Sequence, residues 1–428
     1  MSAYAGETAV EARTSFGDFV ARAHRSGRLV VQPRMGFAPP GEMRAGLLAT
    51  KGAAALTAGT ITLDSYTRTG DHAAARRALA GGTALNGYPL VSHGAATTRA
   101  VLTGVRDGSF PVQVRHGSPD PRDIVAQFAE SGLDATEGGP VSYCLPYGRT
   151  PLRVAVDNWA RCTEMLAGLQ ERGPEPHLES FGGCLLGQLC PPSILVATSV
   201  LEGVFFRQHG MRSVSLSYAQ QTNAVQDEEA LRALRRLAGE VLADIDWHVV
   251  LYAYMGVYPS SRHGALRLLA DAARLAVRGG AARLIVKTAA EAHRIPTVAE
   301  NVEALEVAAE SAQSTAPART AVAEDSETYA EARALVDAVL DLDDDTGTGL
   351  VRAFARGYLD VPHCLHADNR GRARSYLDDT GRLRWAEFGS VPIADVAEAR
   401  PSAELTAASL LTALEYVRRT YDSGPAST

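Results

Sequence analysis

Short apolar runs alternate with longer stretches of helix-like periodicity along most of this chain. After each run, apolar residues recur at every third or fourth position. This β-then-α alternation is typical of a parallel sheet covered by helices. The candidate strands are LVVQPR (29–34), TITLDSYTR (60–68), PLVSHG (89–94), PVQVRHG (111–117), DATEGGPVSY (134–143), HLESFGG (177–183), SVSLSYA (213–219), WHVVLYAYMG (247–256) and RLIVKT (283–288).

These candidates are one more than an eight-stranded barrel needs. We expect HLESFGG (177–183) to lie outside the barrel, because it is short and ends in glycines. The main alternative is a doubly wound open sheet, which would carry a GxGxxG or P-loop turn after an early strand, and the sequence has neither. We therefore predict an α/β fold, a (β/α)8 TIM-type barrel.

Two further regions are expected at the ends of the barrel. Residues 7–27 predict a surface helix, and 312–328 form a small, polar connection. Beyond it, 328–341 predicts a helix, and YLDDTGRLRWAEF (376–388) predicts a hairpin around Asp-Thr-Gly. The predicted regions are an N-terminal helical extension (1–28), the catalytic barrel (29–315) and a C-terminal α+β region (316–428).

Composition and charge narrow the class of protein. Apolar residues make up 46% and charged residues 21% of the 428 residues, an ordinary globular balance. The net charge of −7 argues against a nucleic-acid partner, and the lack of a run of about 20 apolar residues argues against a membrane role. The N-terminus lacks a signal-peptide core, and the five cysteines include no CxxC. We expect a reduced, cytoplasmic protein.

Charged residues are predicted at the carboxyl ends of five strands. In a (β/α)8 barrel those ends carry the active site. Five such residues at one end of a barrel are hard to explain as solvated surface alone. They are Arg34, Arg68, Arg115, Glu137 and Lys287.

Three of these residues are arginines, and each follows an early strand. Guanidinium groups make planar, bidentate contacts with carboxylates, so Arg34, Arg68 and Arg115 together suit a small dianion. For a single arginine, pairing with a neighbouring carboxylate would be the better explanation. Three at equivalent barrel positions favour a dicarboxylate ligand.

Glu137 adds a carboxylate to this group of cations. An ionised Glu137 could accept from a substrate ammonium, or could pair with one of the arginines, and both can hold. The two glycines after it let the backbone approach a ligand closely, and Tyr143 and Tyr147 follow at a spacing that returns two hydroxyls to the site. Two carboxylates and an ammonium describe an acidic amino acid.

Other patterns are weaker. Lys287 and Glu291 lie one helical turn apart at a strand end, which is also the spacing of an ordinary surface pair. Asp246-Trp-His248 partly matches the DxHxxG of cobalamin-binding proteins, but Leu251 replaces the glycine, so we expect a structural role. No residue pattern predicts a metal site strongly.

Ten ordered motifs together resemble the E (large) subunit of glutamate mutase, also called methylaspartate mutase. The resemblance covers about residues 28–310 and 350–395. Two departures are visible, since Tyr258 stands where Phe is expected and Pro140 where Gly is common. The motifs are QPRMGF, TITLDSYTR, LNGYPLVSHG, PVQVRHGSP, ATEGGPVSYCLPYGR, ESFGG, SYAQQ, YMGVYP, LIVKTAAEAHRIPT and AEFGSVP.

The resemblance implies a barrel that receives adenosylcobalamin on its C-terminal face and interconverts L-glutamate and (2S,3S)-3-methylaspartate by a radical route. Our own hypothesis is that Glu137, as the hydrogen-bond partner of the substrate ammonium, takes partial proton charge and stabilises a glycyl radical. It implies substrate contacts at Arg34, Arg68, Arg115, His116, Glu137, Tyr143 and Tyr147. It implies cofactor contacts at Gly36, Asn86, Pro146, Tyr258, Lys287, Glu291 and Ile295.

The same resemblance implies a partner. Because the chain lacks a convincing DxHxxG, a separate small cobalamin-binding S (sigma) subunit should complete the enzyme. A homodimer of this chain within a heterotetramer is expected. Three alternatives stay open: the same chemistry on a modified acidic amino acid, a non-catalytic barrel that binds an acidic amino acid, and a cobalamin-independent lyase using Lys287.

Overall fold

Eight parallel strands form a nearly closed barrel in the computed structural model, which describes residues 14–146, 148–317, 326–400 and 406–423. From the second strand to the eighth, each strand pairs with the next one in the chain, and the first strand pairs with the eighth. The first and second strands are linked by a parallel bridge between Val31 and Thr57, two residues before the second strand. The strands are β1 Val30–Gln32, β2 Gly59–Thr62, β3 Val112–Arg115, β4 Ala135–Gly138, β5 His177–Ser180, β6 Ser213–Ala219, β7 Asp246–Tyr252 and β8 Arg283–Ile285.

Helices cover the barrel, as expected for a sheet whose strands are buried on both faces. Three short 3₁₀ turns, Gly168–Glu171, Gly182–Cys184 and Ala289–Ala292, interrupt the loops. The helices up to residue 317 are α1 Phe16–Arg25, α2 Pro40–Gly52, α3 Ser65–Arg68, α4 His72–Ala80, α5 Leu90–Leu102, α6 Arg122–Glu130, α7 Leu152–Ala167, α8 Pro192–Gln208, α9 Ala224–Val241, α10 Arg262–Gly279 and α11 Val298–Gln313.

The C-terminal part contains the predicted helix and hairpin. Helix α12 packs on α8 and α9, and the hydrophobic core of the barrel continues into it through Leu335 and Val336. The boundaries proposed for the three regions remain a prediction. The elements are α12 Glu327–Leu340, α13 Thr346–Arg356, β9 Arg374–Leu377, β10 Leu383–Glu387, α14 Ala407–Leu414 and α15 Tyr416–Asp422, with β9 and β10 antiparallel.

Two strand predictions were wrong. HLESFGG contains β5, a full member of the barrel, whereas PLVSHG forms the start of α5. The expectation for HLESFGG rested on its shortness and its glycines, but β2, β3, β4 and β5 all have four residues, so length does not separate β5 from its neighbours. His177 and Glu179 of β5 are buried in the polar interior of the barrel. PLVSHG is too short for its periodicity to separate a strand from a buried helical turn.

The interior of the barrel is polar and is closed at its N-terminal end by α1. Phe16 stacks on His177 with ring centroids 5.2 Å apart, and the Arg283 guanidinium lies 4.9 Å from the Phe16 ring. The predicted surface helix therefore has a buried face; it spans Phe16–Arg25, and the part predicted over 7–13 lies outside the described residues. His248 is buried in β7 and stacks on His177, which confirms the structural role expected for Asp246-Trp-His248.

All five cysteines are free and buried. No helix within the described ranges has the length and apolar character needed to cross a membrane.

Candidate functional site

The predicted site residues that the structure describes lie at the carboxyl ends of the strands or in the loops that follow them. They come from the loops after β1, β2, β3, β4, β7 and β8. One positional prediction needs correction. Arg115 ends β3, but Arg34 follows β1 by two residues, and Arg68 closes the one-turn helix α3. Asp64 caps this helix, accepting from the backbone N–H groups of Tyr66 and Thr67, so the predicted strand ends at Thr62.

The centre of the site is a buried ion pair between Arg115 and Glu137. Arg115 Nε donates to Glu137 Oε2 at 2.6 Å, and both side chains are at most 5% exposed. Tyr143 donates to Glu137 Oε1, and Tyr252 lies 2.7 Å from Oε2. Burial opposes the charge of Arg115, but Glu137 and Tyr252 outweigh it and hold the pKa of Arg115 well above its ordinary value. The predicted pairing of Glu137 with one arginine is therefore present.

His116 lies beside this pair as a neutral imidazole. Its Nδ1 accepts from Ser118 N at 3.2 Å, which leaves the ring hydrogen on Nε2. Nε2 is buried and has no hydrogen-bond partner among the described residues. Burial, with the charges of Arg68 and Arg115, lowers the pKa of His116 to about 3. An unpaired buried donor between two cations suits an anionic ligand.

Arg68 reaches the same region from α3. A Cβ atom on Gly117 would lie 2.8 Å from Arg68 Cδ, so the arginine passes close over the backbone after β3. Arg68, Gly117 and Gly148 line a cavity of about 670 Å³ that opens beside His116. This places the second arginine near the first, as the dicarboxylate hypothesis requires.

The loop after β4 is fixed by a residue that sequence reasoning missed. Glu202 of α8 accepts from Val141 N at 3.1 Å, from Ser142 N at 2.8 Å, and from the hydroxyls of Ser142 and Ser180. Burial raises the pKa of Glu202 to about 7 against these donors. This carboxyl group therefore holds the turn that carries Tyr143.

Gly138 and Gly139, which follow Glu137, are needed because neighbouring side chains leave no room for a Cβ atom at either position. Gly138 has φ +144°, and a Cβ there would lie 2.2 Å from Trp159. A Cβ on Gly139 would lie 2.1 Å from the carboxyl group of Glu202. The prediction of close ligand approach was wrong, because side chains of the protein occupy this space.

A second cluster joins the loops after β1, β7 and β8. Arg34 Nη1 lies 3.4 Å from Glu291 Oε2, and Lys287 Nζ lies 4.3 Å from the centre of the Tyr258 ring. Burial, opposed by the charge of Glu291 and assisted by Arg34, lowers the pKa of Lys287 to about 8. Glu291 also caps its own turn, accepting from Thr288 N, so Lys287 and Glu291 belong to a partly buried group and not to an ordinary surface pair.

The remaining predicted residues are not joined to either cluster by hydrogen bonds. Asn86 contacts Ser65 through both of its amide atoms, and Ile295 is 55% exposed. Gly36 lies where a Cβ would meet Thr62 O at 2.2 Å, and Pro146 is half-buried. Tyr147 lies outside the described residues.

The family model and the curated relatives that match this chain agree on one family. The family model described as "Methylaspartate mutase E chain (MutE)" matches residues 11–410. The glutamate mutase epsilon subunit of Escherichia coli O157:H7 is 32% identical over 87% of this chain and 80% of its own length. The proteins of the same name from Desulfitobacterium hafniense and Halobacterium salinarum are 33% and 34% identical, each over 78% of this chain and 72% of their own length.

Proposed function

This chain belongs to the methylaspartate mutase E chain family, and from that premise we propose that it is the substrate-binding subunit of an adenosylcobalamin-dependent mutase. The reaction we propose is the interconversion of L-glutamate and (2S,3S)-3-methylaspartate. The observation that carries this proposal is the buried group of Arg115, Glu137 and His116 at the mouth of the barrel.

Arg115 has the hydrogen-bonding capacity for a substrate carboxylate. A guanidinium has five N–H donors, and this one uses Nε for Glu137 and one Nη2 hydrogen for Tyr252 at 3.3 Å. The other donors have no hydrogen-bond partner among the residues that the structure describes and can serve a ligand, and Nε2 of His116 is an additional neutral donor close by. Arg68 and Arg34 would hold the second carboxylate, since one guanidinium cannot pair with both ends of a glutamate.

Glu137 is the residue we assign to the substrate ammonium. Tyr143 and Arg115 orient its carboxylate, so an ammonium would meet an acceptor that is already fixed. As a hydrogen-bond partner it would take part of the ammonium's proton charge while the carbon skeleton rearranges. This is the role that makes Glu137 a catalytic residue in the proposal.

The cluster around Lys287 fits adenosylcobalamin. Glu291 and Lys287 supply an acceptor and a donor suited to sugar hydroxyls, and the exposed Ile295 supplies an apolar contact. Gly36, Asn86, Pro146 and Tyr258 belong to the same proposed cofactor surface. When bound, adenosylcobalamin supplies a carbon-centred radical that removes a hydrogen atom from the substrate. The three arginines and the buried Glu137 would keep both substrate fragments in place and away from water.

A small cobalamin-binding S (sigma) subunit is the partner we propose, in a heterotetramer that contains two copies of this chain. Asp246 and His248 belong to β7, and His248 is buried against His177, so this step is not a candidate for holding cobalamin. The epsilon subunit names of the relatives support a divided enzyme.

The test is product formation from L-glutamate by this chain, adenosylcobalamin and a purified S subunit, followed by proton NMR. A methyl doublet of 3-methylaspartate that requires all three components is the expected result. Cobalamin binding without a methyl signal would redirect the proposal to a modified acidic amino acid, and a panel of substituted glutamates would then identify it. No cobalamin binding would overturn the mutase proposal.

Glu137→Gln is the matched test of the catalytic assignment. Turnover should fall at least about tenfold, because a neutral amide forms a weaker hydrogen bond with an ammonium. Glu331→Gln is the control, since Glu331 is a buried glutamate of α12 that pairs with Ser193 and Trp385. Full turnover by the Glu137 variant would remove this role.

A further inference from the structure

Two buried carboxylates lie side by side at the inner end of the proposed substrate site. Glu137 on β4 and Glu179 on β5 are paired in register, and they are 1% and 0% exposed. Like charges directly opposite each other on neighbouring strands repel. Each carboxylate has its own arginine: Arg115 pairs with Glu137, and Arg283 pairs with Glu179. The four side chains together are neutral, as a buried group requires.

Tyr252, the last residue of β7, joins these two ion pairs. Its hydroxyl oxygen lies 2.7 Å from Glu137 Oε2 and is also hydrogen-bonded to Glu179 Oε1. Arg115 Nη2 donates to the same oxygen at 3.3 Å. The Tyr252 ring packs edge-on against Phe181, with centroids 5.4 Å apart, which fixes where the hydroxyl points.

A phenol has one hydrogen, so Tyr252 can donate to only one of the two carboxylates at a time. Glu179 has three further donors, Arg283, Gln113 at 3.2 Å and Ser215 at 3.2 Å, and all three reach its Oε2, so Tyr252 is the donor to Oε1 among the described residues. Within the same described part of the chain, Glu137 Oε2 has two contacts, the Tyr252 hydroxyl and Arg115 Nε. Once a substrate carboxylate shares Arg115, Tyr252 is the contact that still ties Oε2 to the barrel wall.

We propose that Tyr252 is a positioning residue that holds Glu137 for ligands carrying an ammonium group. Its hydroxyl is itself held by Glu179, which is paired with Arg283. Tyr252 determines the preference for an amino dicarboxylate over the same dicarboxylate without nitrogen. The inference rests on the proposed function, because it concerns a ligand whose ammonium meets Glu137.

The test compares L-glutamate with glutarate, which has the two carboxylates but no amino group. Equilibrium binding of each is measured on the full chain with cobalamin and the S subunit. Tyr252→Phe should weaken glutamate at least about tenfold while changing glutarate less than about threefold. Tyr218→Phe is the matched control, because Tyr218 is a fully buried tyrosine on β6 that donates to a carboxylate, Asp227, outside the site. Its glutamate preference should equal that of the wild type.

An equal loss for both ligands in Tyr252→Phe, or no loss, would overturn the inference. A second measurement does not depend on ligands: urea unfolding of Tyr252→Phe, Glu137→Gln and the double variant. Non-additive shifts in the unfolding midpoint are expected if Tyr252 holds Glu137, and additive shifts would contradict the contact. If the wild type binds neither ligand, the proposed function fails, and this cycle still decides whether Tyr252 positions Glu137.

Discussion

Replacing Glu202 by glutamine should change how the stability of this protein depends on pH. Glu202 Oε1 faces the backbone N–H groups of Val141 and Ser142, and Oε2 faces the hydroxyls of Ser142 and Ser180. The oxygen of a glutamine amide can replace Oε1, and its nitrogen can donate to hydroxyls that turn to accept. The variant therefore keeps the shape of the site and loses the ionisation.

The expected size follows from the raised pKa. Burial raises the pKa of Glu202 from 4.5 to about 7, so the folded state favours the protonated form. Its contribution to stability is full below the unfolded value and is lost as the pH rises through about 7. Between about pH 5 and about pH 8 this loss amounts to roughly 2–3 kcal/mol.

Urea unfolding of the wild type and of Glu202→Gln at these two pH values measures the effect. The stability of the wild type relative to the variant should fall by roughly 2–3 kcal/mol from the lower to the higher pH. Burial also raises the pKa of Asp227 to about 7. Because Asp227 is present in both proteins, its contribution to the pH dependence of stability cancels in the difference between them. Asp227→Asn is the control that should retain the Glu202 contribution. An equal difference at both pH values would refute the reasoning.

Two other predictions test the clusters of the site. Gly139→Ala should destabilise the protein by about 1–3 kcal/mol, because the new Cβ would lie 2.1 Å from the carboxyl group of Glu202. Thermal unfolding measures this, with Gly41→Ala as the neutral control because a Cβ there would have no atom within 4 Å. An unchanged melting temperature for the Gly139 variant would contradict the packing. The rate at which an amine reagent labels Lys287 should rise with pH, with a midpoint at about pH 8. Glu291→Gln should lower this midpoint, because the Glu291 charge raises the pKa of Lys287. An unchanged midpoint would show that the two groups do not interact.

The order of strands and helices was largely predictable, because apolar runs and helical periodicity record which faces are buried. The same signal failed where the interior is polar. HLESFGG was expected outside the barrel because it is short and ends in glycines, whereas its polar residues His177 and Glu179 are buried inside the barrel. The cap formed by Asp64 was overlooked in the sequence, and it converts the end of a predicted strand into α3, which carries Arg68.

Tyr252 and Glu202, which form hydrogen bonds to the site residues or to the loop that carries them, could not be predicted from the sequence. Arg115 and Glu137 were found because they follow apolar strands near glycines and tyrosines. Tyr252 ends an apolar strand, and this sequence pattern would be the same if the strand had only a structural role. Glu202 lies within a helix that is buried over most of its length. Their partners are distant in sequence, and only the closed barrel brings them together. For Glu179 the sequence did contain a signal: ATEGG in β4 and HLESFGG in β5 each carry a glutamate, and the two glutamates are paired in register.

The contact of Phe16 with the bottom of the barrel has a consequence for the order of folding. Phe16 belongs to α1, near the N-terminus, yet its ring contacts are His177 of β5 and Arg283 of β8. Contacts that span so much of the chain close slowly, because the entropy of loop closure opposes them. During synthesis, α1 emerges long before β8, so its binding surface, which also includes residues of β1 and β7, stays incomplete until the last strand is made. Docking of the first helix therefore completes the barrel, and a nascent chain that stops before Arg283 leaves the apolar face of α1 exposed to chaperones and proteases.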